Sequence, residues 1–277
     1  MTASQHRLQP NVAAPRASRR RAAVILTAAA AVVLALVVGL VAVLVPSTPT
    51  AAPLPGPAPA APGAGGDGWD LAGQTELATR PMPSLPDGAA LPQPLSADSA
   101  GPPIRLPSPD SRTGLVPRGF PPTAEGALAQ LAALTAAGLV NADPQAYAAA
   151  YTAVAAPGAP AVEATPLHRG LVEIRARSGL RTTGAVPGLR FSWTPGGGLI
   201  KGSTDRGRYV VACVIGQLDS GAHGQILSTG AGDCQALRFA DGQWWISPGA
   251  AAAAAPLAWP GSAAAAQVGY RAVTDAA

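Results

Sequence analysis

Side chains able to do chemistry are scarce in this chain. Of 277 residues, three are histidine (His6, His168, His223), two are cysteine (Cys213, Cys234), and Lys201 is the sole lysine. Zinc sites need three or four His, Cys, Asp or Glu ligands at close spacing, and neither C-x-x-C nor H-x-x-x-H occurs. Asp219, Ser220 and His223 are the side-chain types of a hydrolase triad. They crowd into one turn and lack the G-x-S-x-G elbow that aims a nucleophile, so they read as a solvated hairpin turn. Gly196, Gly197 and Gly198, followed by Lys201, Gly202, Ser203 and Thr204, have the composition of a phosphate loop. Lys201 stands before the glycine it should follow, with no helix after it, and the stretch reads as a flexible loop between strands. Glu163 and Glu173 share no helix face and make no catalytic pair. Arg169, Arg175, Arg177 and Arg181 form a modest cationic face, suited to an acidic partner or to plain solvation. From this inventory no cofactor, no metal and no enzymatic activity are expected.

Two groups of residues remain as candidate sites. Cys213 and Cys234 are an even pair and read as one disulfide, the alternative being two small buried hydrophobes. Phe191, Trp193, Phe239, Trp244 and Trp245 all fall on expected strands, where a concave sheet would present them to a ligand or pack them as core. Trp69 stands apart, in the polar stretch GWDLAGQTELATRPMP. It is either a short docking motif for a partner or a side chain that folds back on the nearest domain.

The element that must position all of this is Ala22 to Val45, 24 residues without a charge. At 1.5 Å per residue they reach about 36 Å, enough to cross a hydrocarbon core of roughly 30 Å. Residues 1–21 hold Arg7, Arg16, Arg19, Arg20 and Arg21 and no acid, whereas the rest of the chain carries 14 basic against 15 acidic groups. The basic pI therefore belongs to a short cytoplasmic tail and gives no nucleic-acid footprint to the main body. Everything after Val45 is expected outside the cytoplasm, tethered to the plasma membrane by a single span. A cleaved secretory signal is the rival reading, but its apolar region is shorter, about 7 to 15 residues. The outer location suits an oxidised cysteine pair.

Residues 46–122 contain 19 of the 30 prolines and read as an extended, disordered Pro/Ala-rich linker; LVPRG at Leu115 to Gly119 is a protease-like string there by chance. Residues 123–248 read as one α+β domain. Thr123 caps a helix ending at Gly138, Asp143 with Pro144 starts a second that stops at Pro157, and Thr165 with Pro166 starts a third that ends at Gly179. After Gly179 the pattern alternates. GLRFSWT, RYVVACVIGQL, QILST, CQALRF and QWWIS read as strands of a meandering antiparallel sheet, with a hairpin at Ala240 to Gly242. If RYVVACVIGQL pairs with CQALRF, the two cysteines face each other. Residues 249–277 read as a poorly ordered Ala-rich tail with one short helix.

The segments VPRGFPPTAEGALAQLAAL, LIKGSTDRGRYVVACVIGQL, GDCQALRFADGQWWISPG and AWPGS resemble a group of actinobacterial membrane-anchored proteins of conjugative plasmids and integrative elements. The resemblance covers roughly residues 110 to 265. Helices followed by a curved sheet ending in a G-x-W-W strand are also similar to the cone-shaped nuclear-transport-factor-2-like fold found in outer domains of conjugation-channel proteins. It implies a non-enzymatic assembly or scaffold part of a DNA-transfer apparatus. Its expected partners are the lipid bilayer, other membrane or cell-envelope proteins and further copies of itself, with no direct contact to nucleic acid. The alternative is an extracytoplasmic ligand-binding or sensor protein that uses the aromatic cavity.

Overall fold

The computed structural model describes residues 68–275. The basic tail, Ala22–Val45 and linker residues 46–67 lie outside that range, as do the last two residues. Among the described residues no helix is long and apolar enough to cross a membrane.

Three helices carry the periodic signals read above. Helix α2 (Ala124–Gly138) starts where the Thr123 side chain accepts from the Gly126 amide. Helix α3 (Pro144–Val154) is capped by Asp143, and α4 (Pro166–Arg177) by Thr165, each with proline in its first turn. These caps satisfy amides that have no partner inside the helix. Two smaller helices lie outside the expected domain: α1 (Leu71–Thr79) before it and α5 (Ala263–Gln267) after it.

The sheet has six strands in the order β1-β6-β2-β3-β4-β5. Strand β1 is Ile104–Leu106, β2 Leu189–Thr204, β3 Tyr209–Ala222, β4 Gln225–Ala240, β5 Gln243–Ile246 and β6 Arg271–Asp275. All neighbours are antiparallel except β1 and β6, which run parallel with Ile104 beside Val273. Two-residue turns join β3 to β4 and β4 to β5. His223 and Gly224 in the first, and Asp241 and Gly242 in the second, all have positive φ, the geometry whose twist matches paired strands.

Several boundaries differ from the sequence reading, each for a physical reason. The triple glycine is not a loop between strands but the middle of β2, which runs on for 16 residues with register shifts at Pro195/Gly197 and Ile200/Gly202. A β-carbon on Gly198 would lie 2.4 Å from Leu128, so glycine lets α2 close onto the sheet there. QILST and CQALRF are one continuous strand. The first expected helix does end at Gly138, the last residue of α2, and a β-carbon there would meet the Tyr147 ring at 2.5 Å, so glycine also lets the next helix pack closely.

The larger correction concerns the flanks. Residues 68–122, expected as disordered linker, hold α1 and β1, and residues 249–275, expected as a loose tail, hold α5 and β6. Both flanks pack on the sheet. One core, with Leu128, Leu131, Leu134, Tyr147, Val210, Val214, Leu237 and Trp244, fills the space between α2–α4 and the sheet. A second, with Leu77, Ala78, Leu199, Tyr209, Val211, Ile215, Ala252, Ala258, Val268 and Tyr270, lies on the sheet's other face beneath the two flanks. Few large apolar residues mark these flanks, so they carry no periodic signal; the second face orders the stretches 69–85 and 250–270, while Ile104, Leu106, Val116 and Phe120 join the first core.

Candidate interaction site

The helix face contains a buried polar cluster. Alternation puts Ala231, Asp233, Gln235 and Leu237 of β4 toward the helices. Asp233 is 2% exposed, accepts from the Tyr147 hydroxyl at 2.8 Å and from the Gln235 amide at 2.9 Å, and also accepts from the Cys234 backbone N–H. Burial pushes its carboxyl up to about 6, against the pull of those three donors. Burial, reinforced by the Asp233 charge, raises Tyr147 well above the usual phenol range. The His168 ring leans on Tyr147 with centroids 6.4 Å apart and borders a cleft of about 330 Å³ between α3 and α4, lined also by Ala148, Val172 and Arg175. Arg175 does not belong to the expected cationic face. It is 1% exposed and donates to the carbonyls of Ala142, Asn141, Arg181 and Gly184, at 2.6 to 2.9 Å, tying the segment after α4 to the start of α3. Arg177 pairs with Glu173.

The opposite face carries the disulfide. Cys213 and Cys234 sit directly across from each other on β3 and β4 and are bonded. Above this face, Trp69 lies between two guanidinium groups, Arg208 at 4.3 Å and Arg238 at 4.1 Å from the ring centroid. Asp205 accepts from the Asp70 amide at 2.8 Å and the Gln74 side chain at 2.7 Å. Burial works to raise the Asp205 carboxyl, yet these bonds and one from Thr204 hold it below the ordinary range. The Lys201 ammonium donates to the carbonyls of Ala78 and Arg80, satisfying the C-terminal end of α1; burial, then Arg80, lowers its pKa. Trp69 and Lys201 both fasten α1 to the sheet.

The aromatic residues do not line one cavity. Trp244 is 1% exposed, donates its indole N–H to Pro121 at 2.8 Å and meets Phe239 edge-on. Trp193 is half-buried and donates to Ala231 at 3.0 Å. Trp245 lies under the Arg118 guanidinium, which also bonds Ala153 and Gln243. Phe191 borders an open cleft, of about 570 Å³, at the far end of β2, β3 and β4, together with Arg190, Asp219, His223 and Ile226. In that end of the sheet Arg190, Ser192 and Thr194 are exposed and Ile226 is 71% exposed. Asp219 and Ser220 are successive strand residues and point to opposite faces, Asp219 accepting from Gln217 and Ser228. Among the described residues no group of three or more His, Cys, Asp or Glu is placed to hold a metal ion.

Comparison with family models, with curated proteins and with solved structures gave no match. The residue that sequence reading passed over is Asp233. A signal existed: an isolated acid at an inward position of a β-branched and Ala-rich strand is a buried carboxylate in waiting.

Proposed function

We propose that this protein is a non-enzymatic assembly or scaffold component held at the plasma membrane by Ala22–Val45, with its folded unit outside the cytoplasm. The observation that carries the reading is the open end of β2–β3–β4. There a strand-rich surface combines an exposed isoleucine, Ile226, with Arg190, Phe191 and Asp219, while the remainder of both sheet faces is covered by the chain itself. Surfaces of mixed apolar and polar character left at one end of a covered sheet suit protein partners. The helices-then-curled-sheet order supports a nuclear-transport-factor-2-like unit, and with the resemblance of the sequence segments it points to a conjugative, type IV secretion-like DNA-transfer apparatus.

The test is capture of partners by the detergent-solubilised full chain from its native membrane. Wild type is expected to retain other envelope subunits or further copies of itself, and Ile226→Arg to lose them. Recovery of no subunit by wild type overturns the proposal. The cleft beside Phe191 supports a second reading, an extracytoplasmic ligand-binding protein; a small molecule that raises the melting temperature of wild type but not of Phe191→Ala would favour it.

A further inference from the structure

The face bearing Cys213–Cys234 is roofed by segments from the two ends of the folded unit, Trp69 to Ala90 and Ala250 to Tyr270. We infer that this roof is a gate over the disulfide: an external dithiol reaches the sulfurs only when the α1 segment lifts. The cysteines are 0% and 3% exposed and face each other across β3 and β4, with β2 beyond β3 and β5 pairing with β4 from Leu237 onward. The helix side of the sheet is filled by the first core, so the approach is through the roof.

The two halves of the roof are not equally fixed. The C-terminal half continues into β6, whose pairing with β1 and β2 makes it part of the sheet. The N-terminal half has no strand of its own over this face. Helix α1 buries only Gln74, Leu77 and Ala78, leaves Leu71 49% exposed, and is held by point contacts. These include Trp69 against Arg208 and Arg238, the Asp70 amide and Gln74 on Asp205, Gln74 on Arg238, the Tyr209 hydroxyl on the Gln74 carbonyl, Lys201 on Ala78 and Arg80, and the Ala253 amide on the Ala78 carbonyl. Beyond α1, the Ala90 carbonyl accepts from the Gly230 amide at 2.7 Å. A segment with few buried apolar groups and peripheral bonds opens locally at lower cost than the core beneath it.

The chemistry gated is thiol–disulfide exchange. A thiolate of the dithiol attacks one protein sulfur, forming a mixed disulfide and expelling the other cysteine as thiolate. The second thiol of the reagent, once deprotonated, displaces the remaining protein sulfur. The reagent leaves as a cyclic disulfide, and the protein takes up two electrons and two protons as Cys213 and Cys234 thiols.

The experiment uses the full chain in detergent micelles, treated with dithiothreitol and quenched at intervals with a maleimide that reports free thiols. Trp69→Ala is expected to speed reduction about tenfold and Lys201→Met by a smaller factor, the opening being local. Val154→Ala, which weakens the helix side, is the control and is expected to leave the rate within about twofold of wild type. The inference is overturned if Trp69→Ala reduces at the wild-type rate, if Val154→Ala accelerates reduction as much, or if both cysteines label without reductant. Should Trp69→Ala not fold, Lys201→Met against Val154→Ala decides on the same criteria.

Discussion

The two faces of the β2–β3–β4 sheet are covered by different means. On one, three capped helices bring large side chains such as Leu128, Leu131, Tyr147 and Trp244 into a continuous core. On the other, alanines and a few larger residues lie flat against the strands, and the chain is fastened by polar points such as Lys201 and Asp205. Large apolar side chains stabilise by the area they remove from water, whereas alanine contributes little area but lets backbone come close. The first face should therefore carry global stability, and the second should carry local, separable opening.

Six substitutions and one pH titration, in four comparisons, break or sharpen that contrast. The largest effect is expected from Trp244→Ala, which removes a fully buried ring and its bond to Pro121, at about 3 to 5 kcal/mol in urea denaturation. Leu77→Ala under the roof should cost about 2 kcal/mol, the low end for a buried leucine; equal costs would abolish the asymmetry.

Next is the disulfide, which links positions separated by 21 residues. Loop-closure entropy gives it about 3 kcal/mol, so Cys213→Ser should lower the denaturation midpoint accordingly, and an unchanged midpoint would mean the strands alone fix the unfolded chain.

Asp233 makes the helix face pH-dependent. Its carboxyl is raised from 3.8 to about 6 in the folded state, so between those values the native protein binds the proton more tightly than the unfolded chain. Stability contributed by this group is fully present below the unfolded value, falls as pH rises toward 6, and is level above it. The change amounts to about 3 kcal/mol, and denaturation midpoints measured from pH 4 to 7 should show it. Asp233→Asn should remove most of that slope, and a slope that persists in the variant would assign it elsewhere. The groups on Asp233's own face are Tyr147 and Tyr151 of α3 and Gln235 beside it on β4, while Tyr270 lies in the core on the other face of the sheet. Among these only Asp233 changes charge in that window.

The smallest effects come from two helix caps of like design. Thr123 accepts from Gly126 at 3.1 Å and Asp70 from Gly73 at 2.9 Å. Thr123→Ala should lower global stability by about 1 kcal/mol. Asp70→Ala should leave the midpoint in place and instead speed hydrogen exchange at the Gly230 amide, the roof's bond to β4; a global loss from both would make the roof part of the cooperative core.

The helix side was legible in the residues themselves. Thr123, Asp143–Pro144 and Thr165–Pro166 mark three helix starts correctly because caps are local chemistry, and the pairing of RYVVACVIGQL with CQALRF put Cys213 opposite Cys234 through strand register. The roof was not legible. Proline-rich 68–95 and alanine-rich 249–270 lack the large apolar groups by which a buried segment is recognised, and their order comes from partners distant in sequence, as when the Ala78 carbonyl accepts from the Ala253 amide. Gly198 likewise read as loop because its reason, the closeness of Leu128, exists only once α2 is docked. Of the candidate site, Ile226 at the open end needed the three-dimensional register, whereas Asp233 was marked only by its isolation in an apolar strand; Trp69 was singled out, and its contacts with Arg208 and Arg238 are with its own domain.

Helix α1 also resets a length. Under the anchoring proposed for Ala22–Val45, no more than residues 46–67 would separate the span from the folded unit, since the chain is fixed to the sheet from Trp69 onward. Even drawn out at the limit of backbone reach, those residues extend about 75 Å, where a leash running to Pro122 would have reached over three times as far. The folded unit would then stay within that distance of the bilayer surface. Copies in one membrane would meet chiefly by lateral diffusion, at an effective concentration set by leash length as much as by abundance.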